Sequence, residues 1–346
     1  MTRIVIVSAR VGAGHDGAAH ALADRLTGHD VEVVDFLDFL PGSLGRRLCD
    51  VYHRQLEVLP RSWDWTLSLL GTPWGAALAA RAATLAGDRL GAALGGSGLV
   101  VSTYPLATQA LSAPRTRTAV AAPIAVYLTD PSVHRLCVHR EADLHIAQNH
   151  HARVQARALG AGEVAVAAPL VGTRFRPATA TERTRARQAF GLPETARLAL
   201  VVAGSWGVGE VRETTEDIAA SGTALPVAVC GRNTVLRDRL AAAGYPHVFG
   251  WVDDMPRLLQ AVDIVVQNAG GLTTSEALAS GLPVLTYRCL PGHGRANAQV
   301  LDRIGLVPWP RGRDELRVAL ATADHPTGPV PAVDVVPLLE KLVEAA

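Results

Sequence analysis

The chain of 346 residues is 49% hydrophobic and 19% charged, and its formal net charge is +1 at pH 7. This length exceeds what one ordinary hydrophobic core contains, so two domains are expected. Bulk charge does not draw a near-neutral chain to nucleic acid or to an anionic membrane, so the composition indicates neither partner.

The chain contains four cysteines and no C-x-x-C pair. This usage predicts reduced thiols rather than a disulfide framework or a zinc site. The first apolar run is too short for a signal peptide, and no run approaches about 18 apolar residues. We therefore expect a cytoplasmic protein without a transmembrane helix.

Strand-like and helix-like segments alternate along the first half of the chain. Short β-branched runs predict strands over 4–9, 31–35, 99–102, 124–128 and 144–147. Helical patterns over 16–26 and 74–94 separate some of these strands. Such alternation indicates βαβ units and a parallel sheet covered by helices on both faces.

A polar, proline-containing stretch over 173–196 interrupts this rhythm and is predicted to be a linker. The strand pattern then resumes at 198–204, 225–231, 247–250, 263–267 and 283–287. The predicted class is α/β, with doubly wound domains over 1–172 and 197–332. Ligands of such sheets bind beyond the carboxyl ends of the strands, so we expect a cleft between the two domains.

The first glycine turn, "ARVGAGHDGAAHAL" over 9–22, follows the first strand and leads into a helix near Asp16. It lacks the G-x-G-x-x-G spacing of a dinucleotide fingerprint, but it places His15 at the mouth of the turn. A histidine titrates near pH 6.5 and suits a general base. The alternative is a helix-capping or solvent-exposed histidine.

A second glycine turn, "AGSWGVGEV" over 203–211, opens the second domain. Backbone amides in such a turn bind phosphate together with a helix N-terminus, and Ser205 adds a hydroxyl. A tight turn that needs glycine only for its geometry is the alternative.

The segment "GWVDDM" over 250–255 places an aromatic residue and a valine just past a strand. The main chain of Trp251 and Val252 is positioned to contact a base edge. Trp251 as core filler is the competing interpretation.

The segment "NAGGLTTSEALASGLPVLTY" over 268–287 carries two glycines, two threonines and then one acid. The glycines permit close backbone approach, and the helix start supplies donors to a diphosphate. Glu276, one turn later, is predicted to accept two hydrogen bonds from a ribose diol, as the acidic residue of nucleotide-binding folds does.

The segments "GGLTTSEALASGLPV" and "PGHGRANAQ" resemble the donor-binding region of GT-B glycosyltransferases. The branch they are most similar to contains bacterial MurG and the monogalactosyl- and diglucosyldiacylglycerol synthases (glycosyltransferase family 28). The resemblance also includes "VSTYPLA" and "YLTDPSVH" and covers most of the chain. It implies acceptor sites mainly in the first domain, nucleotide-sugar sites in the second, and a C-terminal helix in 333–346 that returns to the first. It also implies a UDP-sugar co-substrate and no metal.

The resemblance implies a role for individual residues. His15 is the candidate catalytic base, with Asp130 as its rival or partner. The donor nucleotide would contact Gly204, Ser205, Gly207, Trp251, Val252, Met255, Gly270, Gly271, Leu272, Thr273, Thr274 and Glu276. The donor sugar would contact His293, Gly294, Arg295 and Asn297, and the acceptor Gly14, Tyr104, Pro105 and His134.

Two departures from the family pattern change what can be expected. Retaining GT-B enzymes often carry a glutamate eight positions before the ribose-binding one, where this chain has Asn268, so an inverting reaction is favoured. Relatives commonly present Gln-Glu or Gln-Gln to the sugar where this chain has His293 and Gly294. The family's sugars therefore do not simply carry over, and Arg295 would suit an acidic sugar.

The acceptor is not fixed by the sequence, and neither is the oligomeric state. Our main hypothesis is a partly apolar, soluble small molecule of specialised metabolism. The first alternative is a glycolipid synthase acting on diacylglycerol, peripheral at the membrane through 41–75 with Trp63, Trp65 and Trp74. A catalytically silent nucleotide-binding partner, or a nucleotide-sugar epimerase or hydrolase, is the other alternative.

Overall fold

A computed structural model describes residues 1–58, 62–111, 122–323 and 333–345. The chain divides into two compact units, one formed largely by residues up to Gly172 together with the C-terminal residues, and the other largely by residues from Thr173 to Ala323. Each unit is a parallel sheet flanked by helices. The predicted α/β class with two Rossmann-like sheets is confirmed.

The first unit contains a six-stranded sheet in the described part of the chain, in the order β2-β1-β3-β4-β5-β6. Its strands are β1 Arg3–Ser8, β2 Asp30–Asp35, β3 Leu99–Ser102, β4 Ile124–Tyr127, β5 Leu144–Ala147 and β6 Val164–Val166. Its helices before residue 172 are α1 Ala13–Ala23, α2 Leu44–Val58, α3 Ser62–Gly71, α4 Pro73–Ala83, α5 Gly87–Leu94, α6 Pro105–Ala110 and α7 His150–Ala158. All strand pairings are parallel.

The first sheet is buried on both faces, as its unbroken apolar strands require. Val5 and Val7 of β1 pack with Phe36 and Leu90 on one face. The alternate residue Ile4 packs on the other face with residues of α1. β1 is therefore buried between two hydrophobic layers.

Two predicted helices of the first unit differ from the structure. Helix α1 begins at Ala13 rather than near Asp16, because Gly12 is extended and serves as its N-cap. The helix predicted over 74–94 is interrupted by a 3-10 turn at Thr84–Ala86. The Thr84 hydroxyl donates back to the Arg81 carbonyl oxygen at 2.7 Å, a local bond that competes with regular helix.

The second unit contains a five-stranded sheet within the described residues, in the order β11-β10-β7-β8-β9. Its strands are β7 Leu198–Val202, β8 Leu225–Val229, β9 Val248–Phe249, β10 Ile264–Gln267 and β11 Val284–Thr286. Its helices are α8 Ala180–Ala189, α9 Val211–Ser221, α10 Thr234–Ala242, α11 Met255–Ala261, α12 Leu272–Ala279, α13 His293–Arg303 and α14 Arg313–Thr322.

The stretch over 173–196 contains helix α8 and belongs to the second unit. Thr179 and Glu182 form a capping box at its start. Arg187 is buried and pairs with Asp263 at 2.8 Å. The polar side chains of this stretch therefore form long-range ion pairs as well as an exposed surface. The local sequence pattern does not indicate such pairs.

The C-terminal helix α15, Val336–Glu344, packs on the first unit. Leu339 is fully buried there with Leu22 of α1 and Ile6 of β1. The helix therefore returns to the first sheet, as predicted. None of the helices in the described ranges is long and apolar enough to cross a bilayer.

Candidate functional site

The loops that leave the carboxyl ends of the second sheet bring most of the predicted donor residues together. The loops after β7 and β10 are tied by Asn268, whose Nδ2 donates to the Val208 carbonyl oxygen at 2.9 Å. Gly209 lies so close that an added Cβ would stand 2.7 Å from Asn268 Nδ2. The two predicted phosphate loops thus form one surface at adjacent strands of the sheet.

The loop after β7 needs its glycines. Gly204 and Gly207 have φ values of 66° and 56°, in the left-handed region. A Cβ on Gly207 would stand 2.2 Å from the Cys230 carbonyl oxygen. Ser205 lies between them and is half-buried, so the turn presents both its hydroxyl and the neighbouring backbone.

Helix α12 begins with exposed backbone donors. Its N-cap residue, Gly271, supplies no side-chain hydrogen bond. Gln267 Oε1 already accepts from the amides of Ala269 and Gly270. The predicted backbone donors at Gly271, Leu272 and Thr273 therefore lie directly after a loop that the Gln267 side chain holds in place. The partial positive charge of the helix N-terminus also favours an anion at this position.

Glu276 is the most unusual side chain of this edge. It is half-buried, and its carboxylate has no hydrogen bond or ion pair with any residue that the structure describes. Burial raises the pKa of Glu276 to about 8. Buried carboxylates normally have partners, so an isolated one with a raised pKa indicates a ligand-binding function. Thr274 Oγ1, two residues earlier, is also buried without a partner among the described atoms.

The predicted base-binding segment is partly exposed. Trp251 is 47% exposed, so it is not core filler. Its Nε1 donates to Asp253 at 2.9 Å. Val252 and Met255 pack their side chains against the core of the second unit. The main chain at 251–252 is thereby anchored while the indole stays accessible.

The predicted sugar-binding residues divide into two kinds on α13. Arg295 is exposed and His293 half-buried at the helix start. Asn297 is completely buried and donates to the Ala269 carbonyl oxygen at 2.9 Å. A Cβ on Gly294 would stand 2.8 Å from the Asn268 carbonyl oxygen. Asn297 and Gly294 thus hold α13 against the loop, and sugar contact by this segment stays a prediction.

In the first unit, His15 is fixed at the carboxyl ends of β1, β3 and β4. Its Nδ1 lies 2.8 Å from the Thr103 carbonyl oxygen and 3.1 Å from Thr129 Oγ1. Because a carbonyl oxygen only accepts, Nδ1 carries the proton, and the neutral ring has its lone pair on Nε2. The N-cap of α1 is Gly12, so His15 is neither a capping residue nor a loose surface histidine.

The other predicted residues of this edge surround His15. Its ring meets Tyr104 edge-to-face with centroids 5.2 Å apart. Gly14 precedes His15 in the first turn of α1, and Pro105 begins α6 directly after Tyr104. Burial raises the pKa of the Tyr104 phenol, which keeps it protonated at neutral pH.

Asp130 and His134 lie on the loop after β4. Burial and then the charge of Asp130 raise the pKa of Tyr52 to about 12. The Leu136 amide donates to His134 Nδ1 at 3.3 Å, so His134 Nε2 carries the proton and donates to the Leu67 carbonyl oxygen at 3.3 Å. Burial lowers the pKa of His134. Both ring nitrogens of His134 thus serve the fold, and its contact with an acceptor stays a prediction.

Several residues of these edges were not identified from the sequence. Thr103 and Thr129 orient His15 from 88 and 114 residues away along the chain. Arg232 makes cation–π contacts with two tryptophans, Trp206 and Trp251, beside the Ser205 loop. The only local signal for Arg232 is a glycine and an arginine directly after a strand, in "VCGRN". No group of three or more potential metal-ligating side chains occurs in the described parts of the chain.

Comparison with known proteins gives the fold and a distant homology. No family model matches the chain. It is 26% identical over 213 residues to the processive diacylglycerol beta-glucosyltransferase of Bacillus thuringiensis (strain Al Hakam), covering 60% of this chain and 54% of the relative. The Bacillus cereus (strain ATCC 14579) enzyme of the same name is 27% identical over 215 residues, with the same coverage. The matched region thus spans about half the length of these curated relatives.

Among solved structures, MurG of Acinetobacter baumannii superposes with a TM-score of 0.55 at 16% identity, covering 98% of this chain and 99% of that one. Anabaena HepE in complex with UDP-glucose gives 0.57 at 15% identity, covering 93% and 89%. Arabidopsis thaliana UGT89C1 with UDP gives 0.58 at 14% identity, covering 100% and 94%. The fold is GT-B.

Proposed function

Because the chain has the GT-B fold and is a distant homologue of diacylglycerol glucosyltransferases, we propose that it transfers a hexose from a UDP-sugar to a hydroxyl group. The main structural support is the set of features at the carboxyl edge of the second sheet. A glycine loop, a helix start without a side-chain cap and Glu276, whose carboxylate has no partner among the described residues, all belong to that edge.

Each of these features matches one part of a nucleoside diphosphate. Amides at the start of α12 and in the loop after β7 bind the diphosphate, helped by the dipoles of the helices that follow. Glu276 accepts hydrogen bonds from both ribose hydroxyls, which are donors that a buried carboxylate lacks in the unliganded chain. The main chain of Trp251 and Val252 contacts the uracil.

The first unit supplies the base. His15 Nε2 removes the proton of the acceptor hydroxyl as that oxygen attacks the anomeric carbon of the sugar. The bond from the anomeric carbon to the diphosphate oxygen breaks, and UDP leaves with the bonding electrons. The Thr103 carbonyl oxygen accepts from Nδ1–H and stabilises the imidazolium that forms. This single displacement inverts the anomeric centre, as Asn268 in place of the retaining glutamate favours.

The acceptor we propose is a diacylglycerol-type lipid. The curated relatives carry that substrate in their names, which favours the lipid alternative over a soluble natural product. In the first unit, α3 and α4 form a hairpin with Trp65 81% and Trp74 68% exposed, beside exposed Leu69 and Leu78. Contiguous exposed apolar side chains of this kind mark interaction surfaces. The side chain of Trp63 lies outside the described residues.

The hairpin is rigid enough to present these side chains. Thr72 caps α4 by accepting from the Gly75 amide at 3.0 Å. A Cβ on Gly75 would stand 2.0 Å from the Leu69 carbonyl oxygen, so the two helices meet without room for a larger residue. The exposed tryptophans therefore lie on two helices that are packed together at this turn, and we propose that the hairpin lies at the membrane surface.

Release of UDP from UDP-glucose in the presence of diacylglycerol vesicles tests the assignment. We expect glucosyldiacylglycerol by mass spectrometry, and no UDP release from vesicles that lack diacylglycerol. If UDP binds but diacylglycerol never stimulates its release from any UDP-sugar, the proposed acceptor is wrong. If UDP does not bind, the proposed donor site is wrong.

Vesicle sedimentation tests the hairpin. The double variant Trp65→Ser, Trp74→Ser should lower the bound fraction at least roughly tenfold, because each exposed tryptophan loses apolar burial in the lipid interface. The matched control is Val235→Ser, which removes an exposed apolar side chain of the second unit. Equal sedimentation of both variants would show that the hairpin does not mediate membrane contact.

A further inference from the structure

One cation at the edge of the second sheet is held in an unusual way. The guanidinium of Arg232 lies over the ring of Trp206, 5.3 Å from its centroid, and over that of Trp251, 4.8 Å from its centroid. Two cation–π contacts restrict the position of the guanidinium. An exposed arginine normally samples many rotamers, so this contact pair lowers the conformational entropy that a ligand would otherwise have to remove.

The three residues come from three neighbouring loops. Trp206 follows β7, Arg232 follows β8 and Trp251 follows β9, and these strands are adjacent in the sheet. The Arg232 amide donates to the Ser205 carbonyl oxygen at 2.9 Å. A Cβ on Gly231 would stand 2.4 Å from the same oxygen. Arg232 is therefore fixed directly beside the loop that the proposed function assigns to the diphosphate.

The side-chain donors of Arg232 have no partner among the described residues. Its side chain has no hydrogen bond and no ion pair with any residue in the described ranges. By contrast, Arg237 on the following helix donates to Asp238 at 2.8 Å. Asp253, an acidic residue on the loop after β9, accepts a hydrogen bond from Trp251 Nε1. A guanidinium that is held against aromatic rings and has no hydrogen-bond partner among the described residues is suited to bidentate contact with an oxyanion.

We propose that Arg232 binds the diphosphate of the nucleotide sugar through its guanidinium edge, and that Trp206 and Trp251 position the guanidinium for this contact. This inference rests on the proposed function and deepens it, because it names the residue that carries a full positive charge to the leaving group. The backbone amides of the edge carry only partial charges. A full charge opposite the departing UDP stabilises the negative charge that develops as the anomeric bond breaks.

Calorimetric titration of the full chain with uridine, UMP and UDP separates this role from others. Arg232→Met should weaken UDP binding roughly 10- to 100-fold, the scale of charge-assisted hydrogen bonds, while uridine binding stays unchanged. Arg232→Lys should recover part of the loss, because it keeps the charge without the planar fork. Trp206→Phe should cost UDP a smaller factor, since a weaker π face still holds the cation.

The matched control is Arg239→Met, which removes one positive charge from an exposed position of α10. It should leave all three titrations unchanged. An equal loss of uridine and UDP affinity in Arg232→Met would place Arg232 at the base and overturn the proposal. Unchanged UDP affinity with a wild-type melting temperature would overturn it as well. Absence of UDP binding by the wild-type chain would instead show that the proposed function itself fails.

Discussion

The carboxyl edges of the two sheets use their polar residues in opposite ways. At the first edge, His15 and His134 are fixed by hydrogen bonds within their own unit. At the second edge, the side chains of Glu276 and Arg232 have no hydrogen-bond partner among the described residues, and α12 begins without a side-chain cap. An edge with satisfied groups is preorganised to move a proton, whereas one with unsatisfied groups is preorganised to bind a polar ligand.

The largest effect should come from the first edge. His15→Ala should lower turnover roughly 10²- to 10⁴-fold, the contribution typical of a general base. UDP affinity should not change, because His15 lies at the edge of the first sheet and the proposed donor site lies at the edge of the second. Turnover in the vesicle assay and calorimetry with UDP measure the two quantities separately.

A control on the same helix is His20→Ala, whose Nδ1 contacts only its own helix at the Asp16 carbonyl oxygen. It should keep wild-type turnover. If His15→Ala lowers UDP affinity as much as turnover, the division between the two edges is wrong. If it leaves turnover intact, Asp130 becomes the candidate base.

The next largest effect should come from removing the isolated carboxylate. Glu276→Ala should weaken UDP binding by about 1–3 kcal/mol, because the ribose diol loses a charged acceptor. The penalty should be smaller for 2′-deoxy-UDP, which has one donor fewer. The control Glu213→Ala removes an exposed acid from the first turn of α9, and equal affinity losses in both variants would contradict a ribose contact.

The pH dependence of binding should be a further property of the second edge. Burial raises the pKa of Glu276 to about 8, and hydrogen bonds from a diol favour the charged carboxylate. Binding should therefore release a proton at neutral pH, and affinity should fall as the pH decreases from 9 to 7. We expect a decrease of up to about tenfold per pH unit below the pKa.

UDP-glucose is the ligand for this measurement, because it has no phosphate monoester to titrate near pH 6. Calorimetry at pH 7 in two buffers of different ionisation enthalpy counts the released protons. Glu276→Gln should abolish both the proton release and the pH dependence. A pH dependence that persists in this variant would assign the titration to another group.

The sequence predicted the sheets well because their strands carry their own signal. Buried β-branched runs bounded by glycine or polar residues gave β3 and β5 with their observed bounds. The three-residue strand β6 was too short to show a pattern. The local pattern over 173–196 does not indicate helix α8, because Arg187 of this helix pairs with Asp263, which is 76 residues away along the chain.

The candidate site was predictable to the extent that backbone geometry determined it. Glycines at 204, 207 and 270 indicate loops, and the structure shows positive φ values at these positions, which other residues adopt only with strain. The Thr103 contact of His15 and the tryptophan pair around Arg232 depend on which loops the fold brings together. Contacts between segments that are distant along the chain cannot be predicted from the local sequence pattern.

The smallest effect should be on stability, and it follows from the same carboxylate. Because the folded-state pKa of Glu276 is raised from 4.5 to about 8, its contribution to stability is present below pH 4.5 and is lost as the pH rises through 8. Glu276→Gln removes the cost of holding a charged carboxylate in the fold, so its melting temperature should equal that of the wild type at pH 4 and exceed it by roughly 2–4 °C at pH 9. This difference corresponds to about 1 kcal/mol of unfolding free energy, because the side chain is half-buried and solvent screens its charge. Scanning calorimetry of both proteins at the two pH values measures the difference, in which contributions from other groups cancel. An equal melting temperature at pH 9 would mean that water or a neighbouring donor already solvates the carboxylate, and the contrast between the satisfied first edge and the unsatisfied second edge would then disappear at this residue.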